Sequence, residues 1–262
     1  MMRNSQLSKS QLPSWELWVW VLGVLVAGMS ATPTAQSVGR MVMDRGPGEW
    51  AEFASPEDRF TSNFPGPPTV TPTTWRSEFG AELKGRIYSA MRGSGRFQIT
   101  AIDYSPIESI LTARATACPV GAETCRGGAD TGVGYWKNDI RGAIDFAVWK
   151  LMQRPGVKVT SFVWGFQDMV AGKLLQLTNP DGTRTFASIY FHDHRLIVME
   201  GTVPEAEPEP GLFQQSLGWL DDTGRGIRYA TVYYADPDLP KPPLHQRSFI
   251  SDFGRIDATG IR

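Results

Sequence analysis

Apolar and polar residues alternate along 96–104: Phe97, Ile99 and Ala101 share one face, with Gln98 and Thr100 on the other. A period of two is the mark of a half-buried strand. Leu83–Met91 carries a companion run, and Gly93-Ser94-Gly95 lies between the two. Glycine tolerates the positive φ that tight hairpin turns need, so these runs predict an antiparallel hairpin. Upstream, Trp50–Phe53 and Arg59–Phe64 read as two further strands about the turn-like Ser55-Pro56-Glu57-Asp58. Pro65-Gly66-Pro67-Pro68 closes that stretch.

The period then changes. Ser105-Pro106-Ile107-Glu108 joins an N-cap serine, a proline at the first helical position and a glutamate three residues on. This predicts a helix opened by a capping box and fading near Ala117. Ile140, Ala143, Ile144, Ala147, Val148 and Leu151 recur at three- and four-residue spacings, which predicts a helix with one buried stripe. Asn138 or Asp139 would cap it, and Arg154-Pro155-Gly156 would end it.

Strand patterning returns at Val157–Phe166 and Lys173–Thr178, followed by the turn Asn179-Pro180-Asp181-Gly182. Arg184–Phe191 and Arg195–Val203 complete an antiparallel meander joined by His192-Asp193-His194. The acidic, proline-rich Val203–Gly211 reads as a connection, and Leu212, Phe213, Ser216, Leu217 and Leu220 as a short packing helix. Gly226–Ala235 suggests one more strand. The pattern as a whole predicts a single α+β domain over 49–235, an antiparallel β-sheet flanked by helices. A linker at 36–48 precedes it, and an irregular, proline-rich tail at 236–262 follows.

Residues 1–35 form a different kind of segment. Arg3 and Lys9 precede about twelve apolar residues, Leu17–Gly28, and small or polar residues follow at Met29–Gln36. That order is the pattern of a secretory signal, and the apolar run is shorter than the roughly 20 residues of a spanning helix. Cleavage after Ala31 or Ala35 is one expectation; an uncleaved N-terminal anchor is the other. The processed protein would be periplasmic or secreted. No cysteine follows the apolar run to carry a lipid, and no twin-arginine pair is present.

Cysteine usage agrees with export. The two cysteines, Cys118 and Cys125, have six residues between them in a Gly-, Ala- and Pro-rich segment. A lone close pair outside the cytosol reads most simply as one disulfide. Closing so short a loop contributes on the order of 2–3 kcal/mol in the chain-entropy view. The formal charge of −1 becomes −2 once Arg3, Lys9 and Glu16 leave with the leader. So balanced a chain lacks the basic face of a nucleic-acid binder.

The opening Trp50-x-x-Phe53-x-Ser55, followed by Phe60-x-x-x-Phe64-Pro65-x-x-Pro68, resembles the start of PsbP-like domains. The order of hairpin, amphipathic helix, β meander and closing helix resembles them too, over about Trp50–Asp221. The resemblance implies an α/β/α sandwich around an antiparallel sheet, in a family with many exported bacterial members and no shared catalytic set. It carries over no functional residue.

Candidate chemistry is sparse. His192 and His194, two apart on a strand, would project to one face and could share a divalent metal, with His245 or Asp193 as a further ligand. No G-x-S-x-G, H-E-x-x-H or P-loop occurs. Asp221-Asp222 would be a paired-carboxylate site, or the solvent-side end of the preceding helix. The glycines Gly127, Gly128, Gly132 and Gly134 follow no strand, unlike phosphate-cradling loops. Tyr229, Tyr233 and Tyr234, with Trp219, would line a groove or an interface, or form a half-buried strand face. No cofactor is expected. The preferred reading is a non-catalytic envelope module that binds a protein or small ligand and meets the membrane only through an uncleaved leader. The alternative is a metal-dependent or hydrolytic periplasmic enzyme centred on His192 and His194.

Overall fold

The computed structural model describes residues 40–41, 49–117 and 136–245. Contacts divide the chain into Met1–Gln36 and Ser37–Arg262, and every described residue belongs to the second unit. The leader and the Cys118–Cys125 loop with its glycines lie outside the described residues. No described helix is long and apolar enough to cross a membrane.

Seven antiparallel strands form the large sheet, in the order β4-β5-β6-β10-β9-β8-β7. Their ranges are β4 Thr69–Arg76, β5 Glu82–Arg92, β6 Gly95–Asp103, β7 Lys158–Gln167, β8 Val170–Thr178, β9 Arg184–His192 and β10 Arg195–Val203. The predicted hairpin and meander are present, with Gly93 (φ +56°) and Gly182 (φ +81°) in their turns. β4 escaped the sequence reading because Pro72 and its threonines suppress the strand pattern; as an outer strand it tolerates a proline.

Alternation along the central strands sends side chains into two separate cores. Leu196 and Val198 of β10 join Ala187, Ile189 and Phe191 of β9 on one face, beneath the helices α1 (Ile107–Thr116) and α2 (Trp136–Met152). The predicted stripe is what α2 buries: Ile140, Ala143, Ala147, Val148 and Leu151, with Ile144 partly covered. Ile197 and Met199 point to the opposite face with Phe97, Ile99 and Ala101. Since β9 and β10 are covered on both sides, their sequences read as nearly continuous apolar runs.

The second face departs from the expected α/β/α arrangement. It is covered by a small antiparallel sheet, β1-β2-β3-β11-β12, where β1 is Arg40–Met41, β2 Trp50–Ser55, β3 Phe60–Pro65, β11 Gly218–Leu220 and β12 Gly226–Ile227. Arg40 and Met41, expected in a linker, pair with β2. Helix on this side is reduced to the single turn α3 (Gly211–Gln214). The predicted helix over 212–220 is cut short to α3, which buries Phe213, because Gly218 and Trp219 pair with Thr61 and Phe60. Trp219 is thereby buried and donates from Nε1 to the Gln167 carbonyl at 2.8 Å. The predicted strand at Gly226–Ala235 shrinks to β12, after which Tyr233 makes a single bridge to Val170.

Two predicted caps are also absent. Helix α1 starts at Ile107 with Pro106 at its N-cap, and the Ser105 hydroxyl accepts from Arg195 Nη1 at 2.8 Å instead. Asp139 lies inside the first turn of α2, buried, where it accepts from the Ser77 hydroxyl and so ties the helix to the loop before β5. Burial is the largest influence on this carboxyl and pushes its pKa up to about 6. The tail is irregular as expected, but 236–245 is docked. Asp236 and Asp238 pair with Arg141, Asp238 also pairs with Lys137, and the His245 amide donates to the Arg228 carbonyl.

Gly172 marks the tightest approach in the large sheet. A Cβ there would stand 2.2 Å from Tyr190 Cδ1 and 2.4 Å from the Ile189 carbonyl oxygen, and that backbone cannot yield. Gly172→Ala is expected to lower stability by about 2 kcal/mol. The check is a drop in the urea midpoint at unchanged slope.

Candidate functional site

The two candidate metal ligands are not brought together. The β9–β10 turn is Asp193-His194, with φ of +45° and +61°, so His192 is the last residue of β9 and pairs with Arg195. The same-face relation of a regular strand does not survive such a reversal. His192 points inward, 1% exposed, and its Nε2 shares a 2.9 Å hydrogen bond with the Tyr229 hydroxyl. Trp219 lies 4.7 Å from its ring, and Tyr229 stacks on Tyr233 at 5.1 Å. His194 is exposed and stands at the turn tip. No group of three or more His, Cys, Asp or Glu suited to a metal occurs among the described residues. His245 closes a backbone pairing with Arg228.

The tyrosine row is thus core rather than groove. Tyr229 and Tyr233 are buried, although not on a regular strand, and Tyr234 alone is open. Asp221 shapes the β11–β12 turn by accepting from the Thr223 amide and hydroxyl and from the Arg225 amide, so it ends no helix.

Charged residues lock the turns around this aromatic cell. Asp193 accepts from Arg59 Nη1 and from Lys241 Nζ, and its amide donates to the Tyr233 hydroxyl at 3.2 Å. Burial would raise the Asp193 pKa, but Lys241 and Arg59 outweigh it and hold the carboxyl below its ordinary value. Nearby, buried Asp58 receives Arg86 through Nε at 2.7 Å and Nη2 at 2.6 Å, and the Tyr88 hydroxyl at 2.6 Å. Burial, then the Asp58 charge, pushes the Tyr88 hydroxyl well above its ordinary pKa. Sequence reasoning saw Asp58 only as a turn residue, since nothing local marks which acidic residue a distant arginine will grip.

Large apolar side chains left in water gather elsewhere. Five of them lie on β7: Val159, Phe162, Val163, Trp164 and Phe166. Phe162, Trp164 and Phe166 stand opposite Leu175, Lys173 and Ala171 of β8, so they share the face that carries α2. Lys173 lies over the Trp164 ring at 3.9 Å and pairs with Asp145 of α2. Among the described residues β7 is also an outer strand of the large sheet, with a ladder on one side only.

The described edges differ in how they are protected. β4 carries Pro72 and four threonines, and the small sheet ends in the two-residue strands β1 and β12. Proline, polar composition and brevity each discourage added strands. β7 is ten residues long, has Lys158 as its single charge and contains no proline. Its one irregularity is a register shift between Val159 and Ser161. The ladder also shows which backbone groups are free. The β7–β8 turn is the two-residue Asp168-Met169, both at positive φ, so the flanking pair Gln167 and Val170 is hydrogen-bonded. Counting back by twos, Gly165 and Val163 also face β8, whereas Phe166, Trp164 and Phe162 turn their N–H and C=O outward.

No family model and no curated protein matches the chain. Among solved structures, the solution structure of cyanobacterial PsbP (CyanoP) from Synechocystis sp. PCC 6803 is similar over 68% of this chain and 98% of that one. The identity is 10% and the TM-score 0.36. The likeness brings no functional residue with it.

Two outcomes follow from the buried groups. Removing the buried Asp58 carboxylate in Asp58→Ala leaves Arg86 with only the exposed Glu57 and the Tyr88 hydroxyl with only Ser55, and is expected to cost about 3 kcal/mol, measured by denaturant unfolding. Burial, assisted by the charges of Lys241 and Arg59 and opposed by Asp193, lowers the His192 pKa from 6.5 to about 4. The unfolded chain therefore takes up this proton first. The stability tied to the neutral imidazole is complete above 6.5 and is lost as the pH falls toward 4, by about 3 kcal/mol in all. Asp139, whose folded pKa is raised, acts oppositely over about pH 4–6, so the net profile hides both. The readout is thus the melting-temperature gap between wild type and His192→Gln. It is expected to be widest near pH 7 and to narrow toward pH 4.5.

Proposed function

We propose that this chain is an exported, non-catalytic binding module that recruits a protein partner by strand addition at β7. The observation that carries the reading is the contrast between the two outer strands of one sheet. β4 is guarded by Pro72 and threonines, whereas β7 offers three outward-facing backbone positions under an open aromatic row. Apolar area of this kind, bordered by a polar surface, is where soluble proteins meet partners, and an unpaired edge adds directional hydrogen bonds to it.

Support for the address comes from the leader, Leu17–Gly28 behind Arg3 and Lys9. In an oxidising compartment Cys118 and Cys125 would close their loop. The aromatic cell around His192 serves this function indirectly. It fixes the turns at Arg59, Asp168-Met169 and Asp193-His194, and through Trp219 Nε1 on the Gln167 carbonyl it anchors the end of β7.

Photo-crosslinking in intact cells tests the reading. A crosslinking amino acid at Trp164 is expected to yield a protein adduct of discrete mass, and one at Lys84 of the interior strand β5 none. The adduct should fall severalfold when Phe162→Lys and Phe166→Lys place charge on the edge. Absence of any discrete adduct at Trp164, or equal yield from Lys84, would overturn it.

A further inference from the structure

Which partner fits the edge is written into its symmetry. The regular part of the β7 ladder runs from Ser161, just after the register shift, to Gln167, just before the turn. Its centre is Trp164. Trp164 is also one of the positions whose backbone groups face outward, and it is the most exposed large apolar residue of the strand, at 63%. We infer that the partner is a second copy of this chain, paired antiparallel through β7 with the two-fold axis at Trp164; the inference rests on the strand-addition reading.

That axis satisfies each requirement at once. In an antiparallel pair, outward-facing residues must meet outward-facing residues. Placing the axis at Trp164 sets Trp164 against its own copy and Phe162 against Phe166, so every free N–H and C=O of the three finds a mate. Directly opposed residues share a face, so the two aromatic rows merge into one continuous row beside the α2 helices. On the other face Val163 meets Gly165, a large residue opposite a small one. Moving the axis to Val163 would set Phe166 against Thr160, and moving it to Gly165 would set Phe162 against the turn residue Asp168, so either shift leaves one end of the row unmatched.

Charge agrees with the geometry. Lys158 lies beyond the register shift, outside the paired run, and Lys173 is already held by Asp145, so no like charges are forced together at the seam. The four open side chains within the paired run expose on the order of 450 Å² per copy. Pairing two copies covers part of that area, and the α2 faces flanking the seam must supply the rest of the roughly 1,000 Å² that a specific interface needs. Such a closed two-fold contact also leaves no further free β7 edge, so assembly stops at two.

Sedimentation equilibrium on the protein purified from the cells that make it reads the stoichiometry. A concentration-dependent mass reaching two copies is expected. Trp164→Lys should weaken the association roughly 100-fold. Trp149→Lys should leave it unchanged, because that equally open tryptophan belongs to α2, on the side of Trp75 and β4. Register is read by cysteine pairing, with the linked peptides assigned by mass. Phe162→Cys mixed with Phe166→Cys should crosslink, while either alone should not, since like positions would stand roughly 13 Å apart. A monomer at all concentrations, or a link between two copies of position 162, would overturn the inference. A monomer whose Trp164 still captures a different protein in cells would sink the dimer and spare the binding-module reading. A monomer with no capture would sink both.

Discussion

An open β-sheet must end somewhere, and at each end a row of backbone donors and acceptors loses its partner strand. This constraint organises the protein more than any single side chain does. The seven-stranded sheet hides both faces of its central strands, under α1 and α2 on one side and the small sheet on the other. Its edges are treated unequally. On β4, Pro72 removes a donor and threonines keep the strand wet. On β7 the donors remain, the single charge is Lys158 at its start, and aromatic rings stand beside the free edge. Water can satisfy the free backbone groups, but it cannot relieve the exposure of Phe162, Trp164 and Phe166. A partner strand relieves both together.

The strands and helices that bury one clean face were legible in the sequence. The alternation at Phe97, Ile99 and Ala101 and the stripe from Ile140 to Leu151 are local periodicities, and each ends in a core where expected. What failed depended on partners distant in the chain. Residues 212–220 carry helix-like spacing, yet the chance to bury Trp219 and to pair with Phe60 and Thr61 draws half of them into a strand. Ser105 and Asp139 look like caps, but Arg195 and Ser77 claim their oxygens.

The candidate site was less legible for two separate reasons. The His192 and His194 spacing presumed a continuing strand, whereas Asp193 and His194 both adopt positive φ and reverse the chain between two strands. One imidazole therefore enters the core and the other enters water. The β7 segment misleads in the opposite sense. Large apolar residues on both of its faces normally signal a strand covered on both sides. Strand order, a tertiary property, places it at the margin instead. No local pattern distinguishes an interior strand from an edge kept apolar for contact.

Amide hydrogen exchange along β7, followed as a function of protein concentration, tests this account most directly. Val163 and Gly165 should be protected at every concentration, because β8 already holds their amides. Phe162, Trp164 and Phe166 should exchange quickly in dilute solution and slow markedly as the concentration rises. If those three amides exchange at one fast rate throughout the concentration range, the free edge is simply solvated, and the central claim is wrong.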